Sequence, residues 1–326
     1  MSDRILEVAG LSVTLERAGQ PITPVDGVSL SVDRGEALGI AGESGCGKSL
    51  TLKSIIGLLP PGAIVGGDLR FALDKEEPVP FASADVQGHG IALIFQEPMT
   101  ALNPTMKVGD LIAEGPRIHQ GLSKAAGRAR AIELMRQVGI PSPERRAKMW
   151  PHQLSGGLRQ RVMIAMALST EPKLLLCDEP TTALDVSIQD QILGLLQDIR
   201  ERLDTAVIFV SHDLAVLGEL CDRLAIMYAG QVVETGPVDD LFTNPKHPYT
   251  EALMNSVPSF GATTEKLVGI EGHPPDPSSF PVGCRFAPRC KYARDDFGTA
   301  DYELTPIEDG RTTACIHPEL VGDGSS

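Results

Sequence analysis

The segment Gly42-Glu43-Ser44-Gly45-Cys46-Gly47-Lys48-Ser49 constrains this chain more than any other. It has the spacing of a phosphate-binding loop. The apolar run Ala37–Ala41 precedes it, and Leu50–Leu59 reads as a helix behind it. Strand, glycine loop and helix in that order turn consecutive backbone N–H groups inward, and the helix N-terminus adds its positive dipole end. A glycine turn matching by chance would lack this context. Lys48 is expected on the β and γ phosphates of a nucleotide, and the Ser49 hydroxyl on Mg²⁺.

Further strand ends extend the predicted site. Leu174-Leu175-Leu176-Cys177-Asp178-Glu179 is an apolar run closed by two carboxylates. Ligands gather at the C-terminal ends of parallel strands, so both acids should lie beside the phosphates. Asp178 would coordinate Mg²⁺ through water, and Glu179 would polarise the attacking water as general base. Alone, the run could equally be a solvated strand end; paired with the loop it reads as catalytic. Ala206–Val210 leads into Ser211-His212-Asp213. A lone histidine after a strand is more often structural, but here His212 is expected at the γ-phosphate. The runs 37–41, 91–95, 174–177 and 206–210 are short and nearly continuously apolar, as strands covered on both faces are.

These strands alternate with helical patterns, which predicts an α/β domain with a largely parallel sheet over residues 1–240. A polar, strand-free stretch at about 100–170 reads as an inserted helical subdomain. Beyond residue 240 prolines become dense and periodicity fades, so 241–326 reads as an extension with little regular structure and a disordered tail, Gly322–Ser326. The net charge of −14, without a Lys/Arg run, argues against nucleic acid as a partner. No apolar run approaches the roughly 18 residues of a membrane span, and the N-terminus lacks a secretory pattern, so a cytosolic protein is expected.

The segment Leu154-Ser155-Gly156-Gly157-Leu158-Arg159-Gln160-Arg161 narrows the class. It opens a helix whose residues Val162–Leu168 are apolar nearly all round, with Ser155 at the N-cap and Gly156 and Gly157 exposing the first N–H groups. This is a second anion-binding helix end. One nucleotide cannot need both from one subunit unless they face opposite ways. A head-to-tail dimer, each segment closing on the partner's ATP, is the economical answer. Asp185 suits the N-cap of the following helical pattern, 186–203.

In order and spacing, this signature, the run Asp178-Glu179-Pro180-Thr181-Thr182-Ala183-Leu184-Asp185 and Ser211-His212-Asp213 closely resemble ATP-binding cassette (ABC) proteins. The resemblance implies a P-loop NTPase cassette whose Gln96 touches Mg²⁺ and senses membrane subunits, and whose Asp185 bridges two cassettes. Phe95–Pro104, Leu158 within the signature, and Asn244-Pro245-Lys246-His247-Pro248-Tyr249-Thr250 are similar to the ATPases of dipeptide/oligopeptide and nickel importers. That subfamily implies ATP hydrolysis at the cytoplasmic face of a membrane. Its partners would be a second ATPase, identical or related, two permeases and a solute-binding protein. Peptides are the first-choice cargo, with nickel chelates, glutathione or oligosaccharides behind. A soluble cassette acting on DNA or ribosomes fits less well, since the chain has one cassette and no heptad run.

The sequence departs from the family at two places. Where cassettes stack adenine on an aromatic, the nearest residue is Leu15, which forfeits a stacking contribution of about 1 kcal/mol and predicts loose base selectivity. In the tail, the family pattern has four cysteines suited to a [4Fe–4S] cluster. Here Cys284, Cys290 and Cys315 are present, but Phe297 stands where another is expected. A cluster would then need a non-cysteine ligand, Asp295 or His317; reduced cysteines in a loop-rich tail are the leading expectation.

Overall fold

The computed structural model describes residues 3–73, 78–81, 86–88, 90–182, 184–256, 269–294, 297, 303–308 and 310–321. Ala183, Asp295 and the tail Gly322–Ser326 fall outside them. The strands are β1 (Arg4–Arg17), β2 (Gln20–Asp33), β3 (Ala37–Ala41), β4 (Ile64–Phe71), β5 (Val79–Pro80), β6 (Ile91–Ile94), β7 (Leu174–Asp178), β8 (Ala206–Val210), β9 (Arg223–Tyr228), β10 (Gln231–Pro237), β11 (Thr305–Pro306) and β12 (Thr312–Thr313). The helices are α1 (Lys48–Ile55), α2 (Pro98–Ala101), α3 (Val108–His119), α4 (Lys124–Gln137), α5 (Pro143–Arg146), α6 (Gly156–Leu168), α7 (Val186–Leu203), α8 (Leu214–Leu220), α9 (Val238–Thr243) and α10 (Pro248–Met254). The chain is α/β, as its alternating pattern predicts. Among the described residues no helix is long and apolar enough to cross a membrane.

Two compact units interleave along the sequence. One comprises Met1–Ile5, Asp33–Glu36 and Phe71–Ile208; the other comprises Leu6–Val32, Ala37–Arg70 and Phe209–Ser326. In the first unit β6 and β7 run parallel, from Ile91 opposite Leu174 to Ile94 opposite Cys177. Every residue of both strands is buried, which is why they read as continuous apolar runs. Among the described residues no strand lies between β6 and β7 in sequence. Helices occupy that stretch instead: α3 and α4 pack on each other and on α6. Helix α3 buries Val108, Leu111 and Ile112, while α6 buries nearly every residue from Val162 to Leu168.

In the second unit β3 runs parallel to β9, which turns back antiparallel into β10. The region after residue 240 was expected to carry little regular structure. Among the described residues it holds the end of α9, all of α10 and the two-residue strands β11 and β12, and β12 pairs antiparallel with β10, Glu234 opposite Thr313 and Thr235 opposite Thr312. Two contacts distant in sequence hold it there. Tyr228, Tyr249 and Phe286 form an aromatic cluster with centroids 4.6 to 5.4 Å apart. Arg311, 3% exposed, donates to the fully buried Glu234 carboxylate at 3.1 Å.

Removing one member of a buried ion pair strands the other charge. Arg311→Ala should therefore lower the unfolding free energy by about 3–5 kcal/mol, read from the urea midpoint. Arg17→Ala, which removes an exposed pair with Asp276, should cost no more than about 1 kcal/mol.

Candidate nucleotide site

Loop Gly42–Ser49 joins β3 to α1 in the second unit. Glycine is obligatory at its entrance. Gly42 has φ 153°, and a Cβ there would lie 2.1 Å from the Met227 carbonyl oxygen. Gly47, at φ 106°, forms the N-cap of α1, and its Cβ would lie 2.9 Å from the Pro24 oxygen. Over Gly45 nothing described comes within 4 Å of a Cβ position, and Ser44 and Gly45 are exposed, so the crest of the loop is an open cradle. Lys48 is buried, with its Nζ donating to the Gly42 and Glu43 carbonyls at 2.7 and 3.0 Å. That draws the ammonium into the loop. Burial pushes the Cys46 thiol up, against the opposing pull of Lys48. His212 belongs to the same unit, just past β8, where the Ser211 N–H donates to the Ile40 carbonyl at 3.4 Å. Its ring is exposed.

Gln96, Asp178, Glu179, the signature segment and Asp185 belong to the first unit. Asp178 ends β7 and is buried. Glu179 follows it in the left-handed region at φ 45°, a conformation that non-glycine residues adopt at a cost. Gln96 Nε2 and Thr182 Oγ1 both donate to Glu179 Oε2, at 3.0 and 2.9 Å. The structure thus brings two predicted residues, Gln96 and Glu179, into direct contact, and adds Thr182, whose role sequence reasoning missed. Its position three residues past Glu179 on a tight turn is the only signal the sequence offers. Ser49, Gln96 and Asp178 offer oxygen donors, the chemistry that Mg²⁺ takes.

Ser155 caps α6 by position and Asp185 caps α7, but neither side chain makes a capping hydrogen bond. Ser155, Gly156 and Asp185 are exposed. A Cβ on Gly157 would lie 2.8 Å from Ile188 Cγ2, so the two helix starts are neighbours on one face.

The ABC transporter family model matches residues 25–182, and the model of the oligopeptide/dipeptide transporter C-terminal region matches residues 233–296. The chain is 45% identical to the oligopeptide transport ATP-binding protein AppD of Bacillus subtilis (strain 168), covering 98% of each chain. It is 44% identical to the dipeptide transport ATP-binding protein DppD of Escherichia coli (strain K12), covering 96% of this chain and 97% of that one. This chain belongs to the ABC transporter family of oligopeptide and dipeptide ATP-binding proteins. Among solved structures, the dimeric ATP-binding cassette MJ0796 in a post-hydrolysis state with ADP and Pi superposes with a TM-score of 0.62 at 26% identity, covering 72% of this chain and 99% of that one. The fold of the family, a P-loop ATPase cassette, is the fold of this chain.

The second family model spans Cys284 and Cys290, while Phe297 and Cys315 lie beyond its end. Cys284, Cys290 and Cys315 line one cavity together with Tyr228, Phe286 and Phe297. Phe297 is 3% exposed, and its ring stacks on His317 with centroids 5.7 Å apart. Its carbonyl accepts the Cys284 N–H. Among the described residues no group of three or more His, Cys, Asp or Glu is arranged to hold a metal. A four-iron cluster takes four thiolates, whereas this cavity offers three and an aromatic ring. Three thiols are one short of that set, so among the described residues a [4Fe–4S] cluster finds no support. Burial pushes all three thiols up, Cys315 to about 12.

A raised thiol pKa depletes the reactive thiolate about tenfold per unit. Alkylation of Cys284, Cys290 and Cys315 by iodoacetamide at pH 7.5 should therefore run slower in the folded protein than in urea, most of all at Cys315. Peptide mass spectrometry of timed samples checks this.

Proposed function

We propose that this chain is the ATP-hydrolysing subunit that powers import of di- or oligopeptides. The near-full-length likeness to AppD and DppD carries the reading of cargo. For the chemistry, the supporting observation is the Glu179 carboxylate, held at the end of β7 by Gln96 and Thr182. Importers of nickel chelates, glutathione or oligosaccharides are the runners-up.

In this reading the N–H groups of Gly42–Ser49 bind the phosphates, Lys48 neutralises the β and γ oxygens, and His212 stabilises charge at the γ-phosphate. Glu179 accepts a proton from the attacking water. Ser49, Gln96 and Asp178 would hold Mg²⁺, which neutralises phosphate charge when bound. Ser155, Gly156, Gly157 and Asp185 face a second cassette; the exposure of Ser155, Gly156 and Asp185 and the uncapped helix starts support this, as does the dimeric state of the solved relative. Two permeases and a solute-binding protein complete the machine, with this subunit peripheral on the cytoplasmic side. Residues 1–240 act as the nucleotide-binding domain, about 100–170 as the helical part that passes motion to the permeases, and 241–326 as the extension. Leu15 in place of an aromatic should leave GTP turned over nearly as well as ATP.

Glu179→Gln keeps the shape and removes the base. Hydrolysis should fall by about 10²–10⁴-fold while ATP binding survives. Phosphate release and equilibrium binding, measured on the same preparation, check both halves. Unchanged turnover would remove Glu179 from the base role.

A further inference from the structure

The phosphate loop carries an anomaly. Its second residue, Glu43, carries a carboxylate on a loop whose backbone binds anions. That carboxylate is paired with the extension. Arg289 Nη1 and Nη2 donate to Glu43 Oε2 and Oε1 at 2.7 and 3.0 Å, a two-pronged contact with the guanidinium only 5% exposed. Arg289 is itself fixed. Its Nε donates to the Glu271 carbonyl at 2.8 Å, and its guanidinium lies 5.7 Å from the centroid of the Tyr228 ring.

The loop backbone is held from the same side. The Tyr249 hydroxyl accepts the Glu43 N–H at 2.9 Å. Four residues before Arg289, Arg285 donates to the Ala229 carbonyl and pairs with Asp26. The neighbouring Gly230 N–H donates to the Cys46 carbonyl, and the Gly230 carbonyl accepts the Asp26 N–H. Segment 284–290 therefore grips the loop at Glu43 and, through residues 229–230, at Cys46.

We propose that Arg289 is a positioning residue for the nucleotide: it cancels the Glu43 charge and, with Tyr249, fixes the loop that receives the triphosphate. The inference rests on the ATP-binding reading above. It makes the C-terminal extension part of the machinery that sets nucleotide affinity, although nothing in segment 284–290 needs to touch the nucleotide. Without Arg289, Glu43 is an uncompensated anion on the loop that receives the phosphates, and the loop has one anchor fewer.

The test is equilibrium binding of Mg·ATP to the full chain, comparing wild type, Arg289→Gln, Arg289→Lys and the double variant Arg289→Gln/Glu43→Gln. Loss of the pair should weaken ATP binding about tenfold or more in Arg289→Gln. The double variant, with the anion also gone, should recover to within about threefold of wild type, which a merely structural role of Arg289 would not allow. Arg289→Lys keeps the charge but loses the two-pronged contact, so its affinity should fall between those of wild type and Arg289→Gln; it and the double variant serve if Arg289→Gln does not fold. Wild-type affinity in Arg289→Gln, a double variant no tighter than Arg289→Gln, or an Arg289→Lys no tighter than Arg289→Gln would each overturn the proposal. Absence of ATP binding by wild type would instead overturn the nucleotide reading itself, so the two failures are told apart.

Discussion

The second unit is organised around one buried charge. Glu234, in the middle of β10, has no solvent exposure, and an ionised carboxylate in such a place survives only if its oxygens are satisfied. Burial raises its pKa, and the donors around it oppose that shift. Arg311 supplies one hydrogen bond, and the N–H groups of Lys246 and His247 supply two more at 2.8 and 2.9 Å. Three stretches of chain are thereby drawn to one point: β10, the turn before α10, and the residue that precedes β12. His247 is buried and held neutral, its pKa lowered to about 3 by desolvation, so its Nδ1 can accept the Tyr249 N–H and cap α10. Tyr249 then stands where its hydroxyl meets the Glu43 N–H. A chain of hydrogen bonds runs from a buried ion pair in the sheet to the backbone of the phosphate loop.

What the sequence makes legible follows from how each element is stabilised. Strands β3, β6, β7 and β8 are buried on both faces, so their residues must be apolar without interruption, and all four stand out. The loop stands out because a Cβ at Gly42 would collide with the Met227 carbonyl, so steric exclusion alone fixes the residue type. Strands β1 and β2 are long but only part-buried, and Gly10 and Gly27, at φ 61° and 74°, interrupt any alternation. The extension is the extreme case. Its order depends on Tyr228 meeting Phe286 and Glu234 meeting Arg311, contacts between residues far apart in the chain that impose no period. Thr182, Tyr249 and Arg289 were missed for the same reason: each acts through one partner placed by the fold, not by spacing.

The signature helix shows the opposite relation between stability and use. A serine or an aspartate at an N-cap ordinarily turns a side-chain oxygen back to the first N–H groups. At Ser155 and Asp185 neither does, so the α6 and α7 starts forgo a contribution of about 1 kcal/mol each. Both helices are secured by burial elsewhere: α6 along nearly its whole surface, α7 through Ile192, Leu193, Leu196 and Ile199. Packing frees the helix starts from having to be capped internally, and leaves their dipoles available to an external anion or partner.

The same reasoning bears on the cysteines. Five residues separate Cys284 from Cys290, a spacing that invites a metal reading. Within that interval, however, Arg285 reaches Ala229 and Asp26, Phe286 fills the aromatic cluster, and Arg289 holds Glu43. The short helical turn at Ala287–Arg289 brings the two arginines to the same side, which is what gripping a loop at two points requires. The interval thus has a mechanical reason for its length whatever the thiols do. Replacing the expected fourth thiol with Phe297 leaves that geometry intact, because the phenyl ring buries against His317 while the backbone still accepts the Cys284 N–H. An extension that had lost a ligand could keep its fold in this way, provided apolar packing took over the anchoring of the segment that holds the loop.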